Sequence, residues 1–147
     1  MKKLLLIIPI LLILIGCTSN NEKIYLSDKY YKDGVYIEIS SKDLDNLKED
    51  NYLLYTYNHF CNFTIPCDKI FKEIMDKYKI DVLSMSIDEY KKTDFFNEVR
   101  YAPSILVINK GKVVAYLDAE SDDDYDKYQK PEEFEEWLTS HIYTEKK

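Results

Sequence analysis

The most informative segment of the sequence is Tyr52-Leu-Leu-Tyr-Thr-Tyr-Asn-His-Phe-Cys61, which continues as Asn-Phe-Thr-Ile-Pro-Cys67. Residues 52–57 form a near-continuous apolar and β-prone run, which is typical of a central strand buried on both faces. After the two cysteines, apolar residues recur along one helical stripe, at Ile70, Phe71, Ile74, Met75 and Tyr78. The sequence therefore predicts a strand, a pair of cysteines and a helix in that order.

Strand and helix patterns alternate on both sides of this segment. They predict strand 35–39, helix 41–48, strand 81–87, helix 88–99, strands 104–108 and 113–117, and helix 131–142. Ser41 is the expected N-cap of helix 41–48. Helix 88–99 is expected to turn Phe95, Phe96 and Val99 inward, and Gly111 supplies the positive φ that a tight hairpin turn usually requires.

Length and charge exclude several classes of function. The chain has 147 residues, which fits one domain, and it shows no internal repeat. It carries 20 Lys and Arg against 27 Asp and Glu, for a net charge of −7, whereas a nucleic-acid-binding domain needs a clustered excess of basic residues. The acidic run 118–126 lacks the glycine and the distal glutamate of an EF-hand loop, so a solvated loop is predicted there.

Several segments resemble the thioredoxin superfamily and occur in the order in which that family has them. They are the central strand leading into the redox motif (52–61), the end of the next strand (86–88), the cis-proline segment Arg100-Tyr-Ala-Pro-Ser-Ile105, the last hairpin (109–115) and the closing helix (132–142). The resemblance implies an α/β, thioredoxin-like fold with a central mixed β-sheet flanked by helices.

The cysteine spacing departs from the family's pattern, because five residues instead of two separate Cys61 from Cys67. In one placement Cys61 is a single nucleophile and Thr64 stands where the second thiol would be. A continuous helix then keeps Cys61 and Cys67 about 10 Å apart, too far for a disulfide. In the other placement Pro66 begins the helix, residues 62–65 form a loop, and Cys67 is within reach of Cys61. A third alternative makes Cys67 a small buried core residue.

Residues near the cysteines bear on their chemistry. Cys61 lies between a buried strand and a helix N-terminus, where backbone N–H groups lower the pKa of a thiol, so Cys61 is the expected nucleophile. His59 would stabilise its thiolate if it points the same way, and is otherwise an exposed histidine. The resemblance implies that Tyr55 replaces the family's buried acid, which assists proton transfer. It also implies that Ala102 and Pro103, joined by a cis bond, bind substrate beside Cys61.

The N-terminus has the pattern of an export signal. Lys2 and Lys3 precede an apolar run of twelve residues, Leu4–Ile15, interrupted only by Pro9. As a helix this run spans about 18 Å, short of the roughly 30 Å bilayer core, so a signal peptide is favoured over a transmembrane helix. The end of the run, Leu14-Ile-Gly-Cys17, resembles the lipobox of bacterial lipoproteins. The alternative is an ordinary secretory signal with a coincidental cysteine.

The lipobox resemblance implies cleavage before Cys17 and attachment of lipid to its sulfur. The predicted organisation is a signal peptide of residues 1–16, a lipidated tether of 17–24 and a thioredoxin-like domain of 25–147. Two or three acyl chains hold a protein stably on a membrane. The predicted location is therefore the extracytoplasmic face of the cell membrane, where disulfides persist.

These observations predict a thiol–disulfide oxidoreductase that acts on the thiols or disulfides of exported proteins. Cys61 is the predicted nucleophile and Cys67 the resolving thiol, and a membrane electron-transfer partner would fit the anchored location. The alternative is a redox-inactive accessory module of an export or surface system with a structural Cys61–Cys67 bond. No cofactor is expected. A zinc site on His59, Cys61 and Cys67 is disfavoured because no fourth Cys or His has suitable spacing.

Overall fold

The structure, a computed structural model, describes residues 22–58 and 65–147. Within these ranges the chain forms five strands in one sheet, with helices packed against it. The strands are β1 (Tyr36–Glu38), β2 (Asn51–Tyr57), β3 (Val82–Ser86), β4 (Ser104–Asn109) and β5 (Lys112–Tyr116). The α-helices are α1 (Cys67–Tyr78), α2 (Ile87–Tyr90) and α3 (Pro131–His141), and 3₁₀ helices cover Asp28–Tyr30, Ser41–Leu47, Asp94–Asn97 and Tyr125–Tyr128.

The sheet is mixed, with strand order β1-β3-β2-β4-β5. β2 lies at its centre, parallel to β3 and antiparallel to β4, while β1 is parallel to β3 and β5 antiparallel to β4. Leu53 and Leu54 in β2 point to opposite faces and are both 0% exposed. The predicted central strand, buried on both faces, is therefore confirmed, as is the mixed sheet.

Apolar side chains fill a layer on each face of the sheet. On one face α1 and α3 pack over the strands, and the fully buried members of this layer include Phe71, Met75, Tyr128, Phe134 and Leu138. On the other face the layer contains Tyr30, Tyr52, Leu54, Met85, Tyr90, Leu106 and Ile108. The predicted apolar stripe of α1 is the part of that helix that faces the sheet.

The β4–β5 hairpin forms at the predicted place. Its loop is the pair Lys110 and Gly111, whose φ angles are 48° and 73°. Two successive positive φ angles match the right-handed twist of the flanking strands, which is why such two-residue turns favour glycine.

The prediction of one helix over 88–99 is wrong. The segment divides into α2 and the 3₁₀ helix Asp94–Asn97, because Thr93 between them is extended (ψ 156°) and its Oγ1 donates a hydrogen bond to the Tyr90 carbonyl at 2.8 Å. A threonine hydroxyl that satisfies a nearby carbonyl competes with helix continuation. Phe95 and Phe96 are still partly buried, and Val99 is 2% exposed, so the inward face was predicted correctly.

The segment predicted as helix 41–48 is a 3₁₀ helix, and its N-cap is Ser40 instead of Ser41. The backbone N–H and the hydroxyl of Ser40 both donate to Asp43 Oδ2, at 2.8 and 2.7 Å. The hydroxyl of Ser41 is occupied elsewhere, because it donates to Glu89 Oε2 at 2.8 Å. Two adjacent serines look alike as caps in the sequence, and this tertiary contact decides between them.

The described chain begins at the end of the predicted tether. The N–H of Ile24 donates to the His141 carbonyl at 3.0 Å, and the N–H of Tyr143 donates to the Ile24 carbonyl at 2.9 Å. The first described residues are thus held against the end of α3. None of the helices in the described ranges is long and apolar enough to span a bilayer.

Candidate functional site

The cysteine motif meets α1 through two non-helical residues. Pro66 is the N-cap, with φ −58° and ψ 119°, and α1 begins at Cys67, one residue later than the sequence predicted. The N–H of Lys69 donates to the Pro66 carbonyl at 3.0 Å and closes the first turn. Ile65 and Pro66 lie outside the helix, so a continuous helix over 61–67 is excluded at these two positions. That continuous helix was the premise of the placement with Thr64 as the second site residue.

Cys67 is 2% exposed and packs against the central strand. Its Sγ lies 3.6 Å from the Oη of Tyr55, at hydrogen-bonding distance for sulfur. Tyr55 stands at the position where the resemblance implied a buried acid. Its phenol hydroxyl thus contacts Cys67 directly. Burial also satisfies the core alternative for Cys67, but a core role alone does not require a hydroxyl at its sulfur.

The surroundings of Tyr55 keep its hydroxyl neutral. Its ring lies 5.3 Å from that of Tyr36 and 5.7 Å, edge-on, from that of Phe71. Burial among these rings raises the pKa of Tyr55 far above the ordinary tyrosine value, and the neighbouring Cys67 raises it further. The Tyr55 hydroxyl therefore stays protonated at every physiological pH. It is able to donate to the Cys67 sulfur, but it does not take up a proton as a carboxylate would.

A cleft of about 310 Å³ opens where the ends of β1, β2 and β3 meet the start of α1. It is lined by Tyr36, Tyr55, Tyr57, Asn58, Pro66, Cys67, Asp68 and Ser84. The hydroxyl of Tyr36 donates to the Asp68 carbonyl at 2.9 Å, which ties the first turn of α1 to β1. Cys67 thus lies between an aromatic-lined cleft and the apolar core.

The peptide bond between Ala102 and Pro103 is cis, as the resemblance implied. The Pro103 carbonyl accepts a hydrogen bond of 3.1 Å from the hydroxyl of Tyr128, which also donates to the Leu117 carbonyl at 2.8 Å. Tyr128 is 0% exposed, and burial raises its pKa well above the ordinary value, with Cys67 among the charges that add to the shift. Tyr128 therefore joins the cis-proline segment to the core beside Cys67.

Gln129 contacts the other side of the site. Its Oε1 accepts from the N–H of Ile65 at 3.1 Å, and its Nε2 donates to the Ile65 carbonyl at 3.0 Å. Sequence reasoning missed Tyr128 and Gln129, because no local pattern marks a contact between residues 64 positions apart.

Four predicted site residues, Cys17, His59, Cys61 and Thr64, lie outside the described residues. Their roles stay predictions, and so does the separation of the Cys61 and Cys67 sulfurs. Across 22–58 and 65–147, no group of three His, Cys, Asp or Glu side chains is placed to hold a metal ion. The zinc alternative depends on His59 and Cys61 and is not tested by this part of the chain.

Solved structures resemble this fold. An N21Q mutant thioredoxin from Halobacterium salinarum matches with a TM-score of 0.54 at 18% identity, covering 78% of this chain and 95% of that one. A thioredoxin from Nicotiana alata matches with a TM-score of 0.50 at 21% identity, covering 75% and 94%. The chain has a thioredoxin-like fold. No family model matches its sequence, and no curated protein matches it either.

The thioredoxin-like fold explains where the described site residues lie. The end of β2, the start of α1 and the cis-proline loop before β4 come together at one edge of the sheet. The antiparallel register pairs Thr56 with Ser104, and the Thr56 hydroxyl accepts from the Ser104 N–H at 3.2 Å. Cys67, Tyr55 and Pro103 are thus positioned by neighbouring elements, although they are far apart in the sequence.

Proposed function

We propose that this protein is a membrane-anchored thiol–disulfide oxidoreductase that acts outside the cytoplasm on exported proteins. The observation that carries the proposal is Cys67 at the first position of α1, buried against the Tyr55 hydroxyl. The cis Ala102–Pro103 bond, tied to the same core by Tyr128, supports it. A thioredoxin-like fold is consistent with protein thiols as substrates.

The proposed reaction is reversible and proceeds in two exchanges. The Cys61 thiolate attacks a substrate disulfide, forms a mixed disulfide with one substrate sulfur and releases the other as a thiolate. The Cys67 thiolate then attacks the Cys61 sulfur, closes a Cys61–Cys67 disulfide and releases the second substrate thiolate. The substrate gains the two electrons that the protein dithiol loses. In the opposite direction the protein disulfide oxidises a substrate dithiol.

In the proposed reaction Tyr55 and Pro103 have distinct parts. The neutral Tyr55 hydroxyl donates to the Cys67 sulfur and stabilises its thiolate, the form that attacks or leaves. Ala102 and Pro103 would align a substrate segment beside Cys61. His59 and Thr64 would modulate the Cys61 thiol in the segment between β2 and α1.

The membrane anchor belongs to the same proposal and rests on the sequence alone. The run Leu4–Ile15 followed by Gly16-Cys17 would direct export, cleavage and lipid attachment at Cys17. The described fold begins a few residues after Cys17, so the domain would lie close to the extracytoplasmic surface of the cell membrane. Exported proteins, and a membrane-borne electron donor or acceptor, are the partners within reach.

One observation favours a second candidate function. Tyr55 takes the place of an acid that would assist proton transfer, and a buried phenol cannot replace that step. A domain built this way would also suit a redox-inactive accessory module whose Cys61–Cys67 pair is a structural bond. The two functions differ in what the pair does when a substrate disulfide is offered.

The experiment that separates them traps the intermediate in cells. In a Cys67→Ser variant the mixed disulfide at Cys61 should persist, because the resolving thiol is absent, and non-reducing gels should show adducts with exported proteins. Cys61→Ser, the matched control, should form none. In the reduced wild-type protein Cys61 should be alkylated faster than the buried Cys67. Adducts in neither variant, together with thiols that react only after unfolding, would favour the accessory module.

A further inference from the structure

Ile65, the second residue before Cys67, is hydrogen-bonded through its backbone to the distant side chain of Gln129. The Gln129 amide pairs with both main-chain groups of Ile65, accepting its N–H at 3.1 Å and donating to its carbonyl at 3.0 Å. The Ile65 side chain is 42% exposed, so packing contributes little to its position. We call this pair of hydrogen bonds the Gln129 clamp.

The clamp is built on a rigid base. Nε2 of Gln129 also donates to the Tyr128 carbonyl at 3.0 Å, which orients the amide. Tyr128 is 0% exposed, and its ring centroid lies 5.6 Å from that of Phe71 in α1. Its hydroxyl bonds the carbonyls of Pro103 and Leu117. Two adjacent residues thus contact two sides of the site. Gln129 bonds the segment before α1, and Tyr128 bonds the cis-proline.

The length of the cysteine motif explains why hydrogen bonds to Ile65 are needed. Five residues separate Cys61 from Cys67, and Ile65 and Pro66 at the end of that segment are not helical. A non-helical residue outside the sheet has an N–H and a carbonyl without regular partners. Longer connections also bring their ends together less often, because more conformations compete with the productive one.

We propose that Gln129 is a positioning residue for the dithiol. By fixing the Ile65 backbone, it holds the approach to Cys67 in the conformation from which the Cys67 sulfur attacks a mixed disulfide at Cys61. The proposal rests on the proposed exchange function and adds a residue to it. Gln129 touches neither sulfur, and it acts through the backbone of Ile65.

The test compares three variants of the full chain. Gln129→Ala removes the clamp, whereas Gln129→Glu keeps an acceptor for the Ile65 N–H and loses the donor to its carbonyl. Lys130→Ala is the matched control, because its side chain is an exposed neighbour paired with Asp126. Three quantities are measured: hydrogen exchange of the Ile65 amide, the equilibrium constant of the Cys61–Cys67 disulfide against glutathione, and the Tm of the reduced and oxidised forms.

Gln129→Ala should accelerate exchange of the Ile65 amide and lower the disulfide equilibrium constant by at least about threefold, because the variant loses two hydrogen bonds that each contribute a net factor of about three to ten. Gln129→Glu should also accelerate exchange and lower the equilibrium constant, because a carboxylate cannot donate to the carbonyls of Ile65 and Tyr128. Lys130→Ala should stay within about twofold of the wild type. A purely structural role would lower both Tm values equally and leave the equilibrium constant unchanged.

Two outcomes would overturn the proposal. Faster exchange at Ile65 with an unchanged equilibrium constant would show that the clamp orders the backbone without serving the dithiol. Unchanged exchange at Ile65 would show that the clamp does not form in solution. A wild-type protein that never equilibrates with glutathione would instead contradict the proposed function, and this failure is distinguishable because Ile65 exchange is read independently of redox chemistry.

Discussion

At the scale of single residues, the contact between Tyr55 and Cys67 distinguishes this site from one with a buried acid at the same position. A carboxylate in that position could accept a proton from the thiol, whereas a neutral phenol donates a hydrogen bond to the sulfur. The contact of 3.6 Å therefore stabilises the thiolate without relaying its proton. The expected consequence is a Cys67 thiol that ionises more readily with the Tyr55 hydroxyl than without it, together with slow proton transfer.

The first prediction removes this hydroxyl. Tyr55→Phe should raise the pKa of the Cys67 thiol by about one unit, because a hydrogen bond to a charged group contributes about 1.5–3 kcal/mol. The measurement is the pH dependence of the Cys67 Cβ chemical shift in a Cys61→Ser background. Tyr52→Phe is the control, since Tyr52 is equally buried but faces the other side of the sheet. An equal shift in both variants, or none in Tyr55→Phe, would refute the role of this contact.

At the scale of elements, apolar periodicity predicted most of the fold and missed contacts that individual polar groups decide. β2 and α1 were predicted because burial leaves a continuous apolar run in a central strand and a stripe on a covering helix. The break at Thr93 was missed because it depends on one hydroxyl that bonds the Tyr90 carbonyl. Local polar contacts of this kind do not alter the apolar pattern, so periodicity could not reveal them.

The second prediction concerns Gly34, which precedes β1 and packs against the end of α1. Its φ is +74°, and a Cβ there would lie 2.7 Å from the Met75 carbonyl oxygen. Gly34→Ala should therefore cost about 2 kcal/mol or more in the free energy of unfolding, through both strain and backbone contact. Gly111→Ala is the control, with φ +73° but its nearest neighbour at 3.9 Å, and should cost about 1 kcal/mol. Equal urea midpoints for the two variants would contradict this reasoning.

The third prediction concerns pH and the junction between α2 and the 3₁₀ helix Ser41–Leu47. Hydrogen bonds from Lys92, and from the N–H and hydroxyl of Ser41, lower the pKa of Glu89 from its ordinary value of 4.5 to about 2. A carboxylate with a depressed folded-state pKa stabilises the protein above its unfolded-state pKa. That contribution is lost as the pH falls from about 4.5 to about 2.

Thermal unfolding between pH 5 and pH 2 measures this effect. Glu89→Gln should flatten the decline of Tm over that window, because the variant has no carboxylate to protonate at this junction. Glu136→Gln, a change of an exposed glutamate on α3, should keep the wild-type slope. A Glu89→Gln profile parallel to the wild type would show that the carboxylate is not preferentially stabilised in the folded state.

At the scale of the whole molecule, the first described residues and Cys67 lie near different ends of the central strand β2. The N–H of Ser27 donates to the Asn51 carbonyl at 2.8 Å, so the segment after Ile24 lies beside the start of β2, whereas Cys67 lies beside its end. The seven residues of β2 span about 20 Å. The described chain therefore enters the fold beside the start of β2, whereas Cys67 contacts Tyr55 nearer the end of that strand.

The fourth prediction tests that anchor. Intact-mass analysis of the membrane fraction should show a protein that begins at Cys17 and carries acyl mass on that residue. Cys17→Ser should abolish the acyl mass, because the sulfur that would carry the lipid is absent. A soluble wild-type product, or a mature N-terminus at another residue, would contradict lipidation.

The candidate site could be predicted only in part, for a physical reason. Cys67 and the cis Ala102–Pro103 bond followed from the resemblance, because the motif's strand, helix and proline occur in a fixed order along the chain. Tyr128 and Gln129 did not, since their partners lie on other elements and nothing nearby in the sequence marks them. Contacts that form only when the sheet and helices assemble leave no periodic signal.

The reduction potential of the Cys61–Cys67 pair separates thiol–disulfide exchange from a structural disulfide. The full-length protein is equilibrated in glutathione buffers, alkylated, and analysed by mass for thiols at the two positions. Exchange on exported proteins predicts a potential between about −120 and −270 mV, the range of thioredoxin-like exchangers. A potential below about −300 mV, or thiols that never pair, would contradict exchange on exported proteins and make the domain a redox-inactive module.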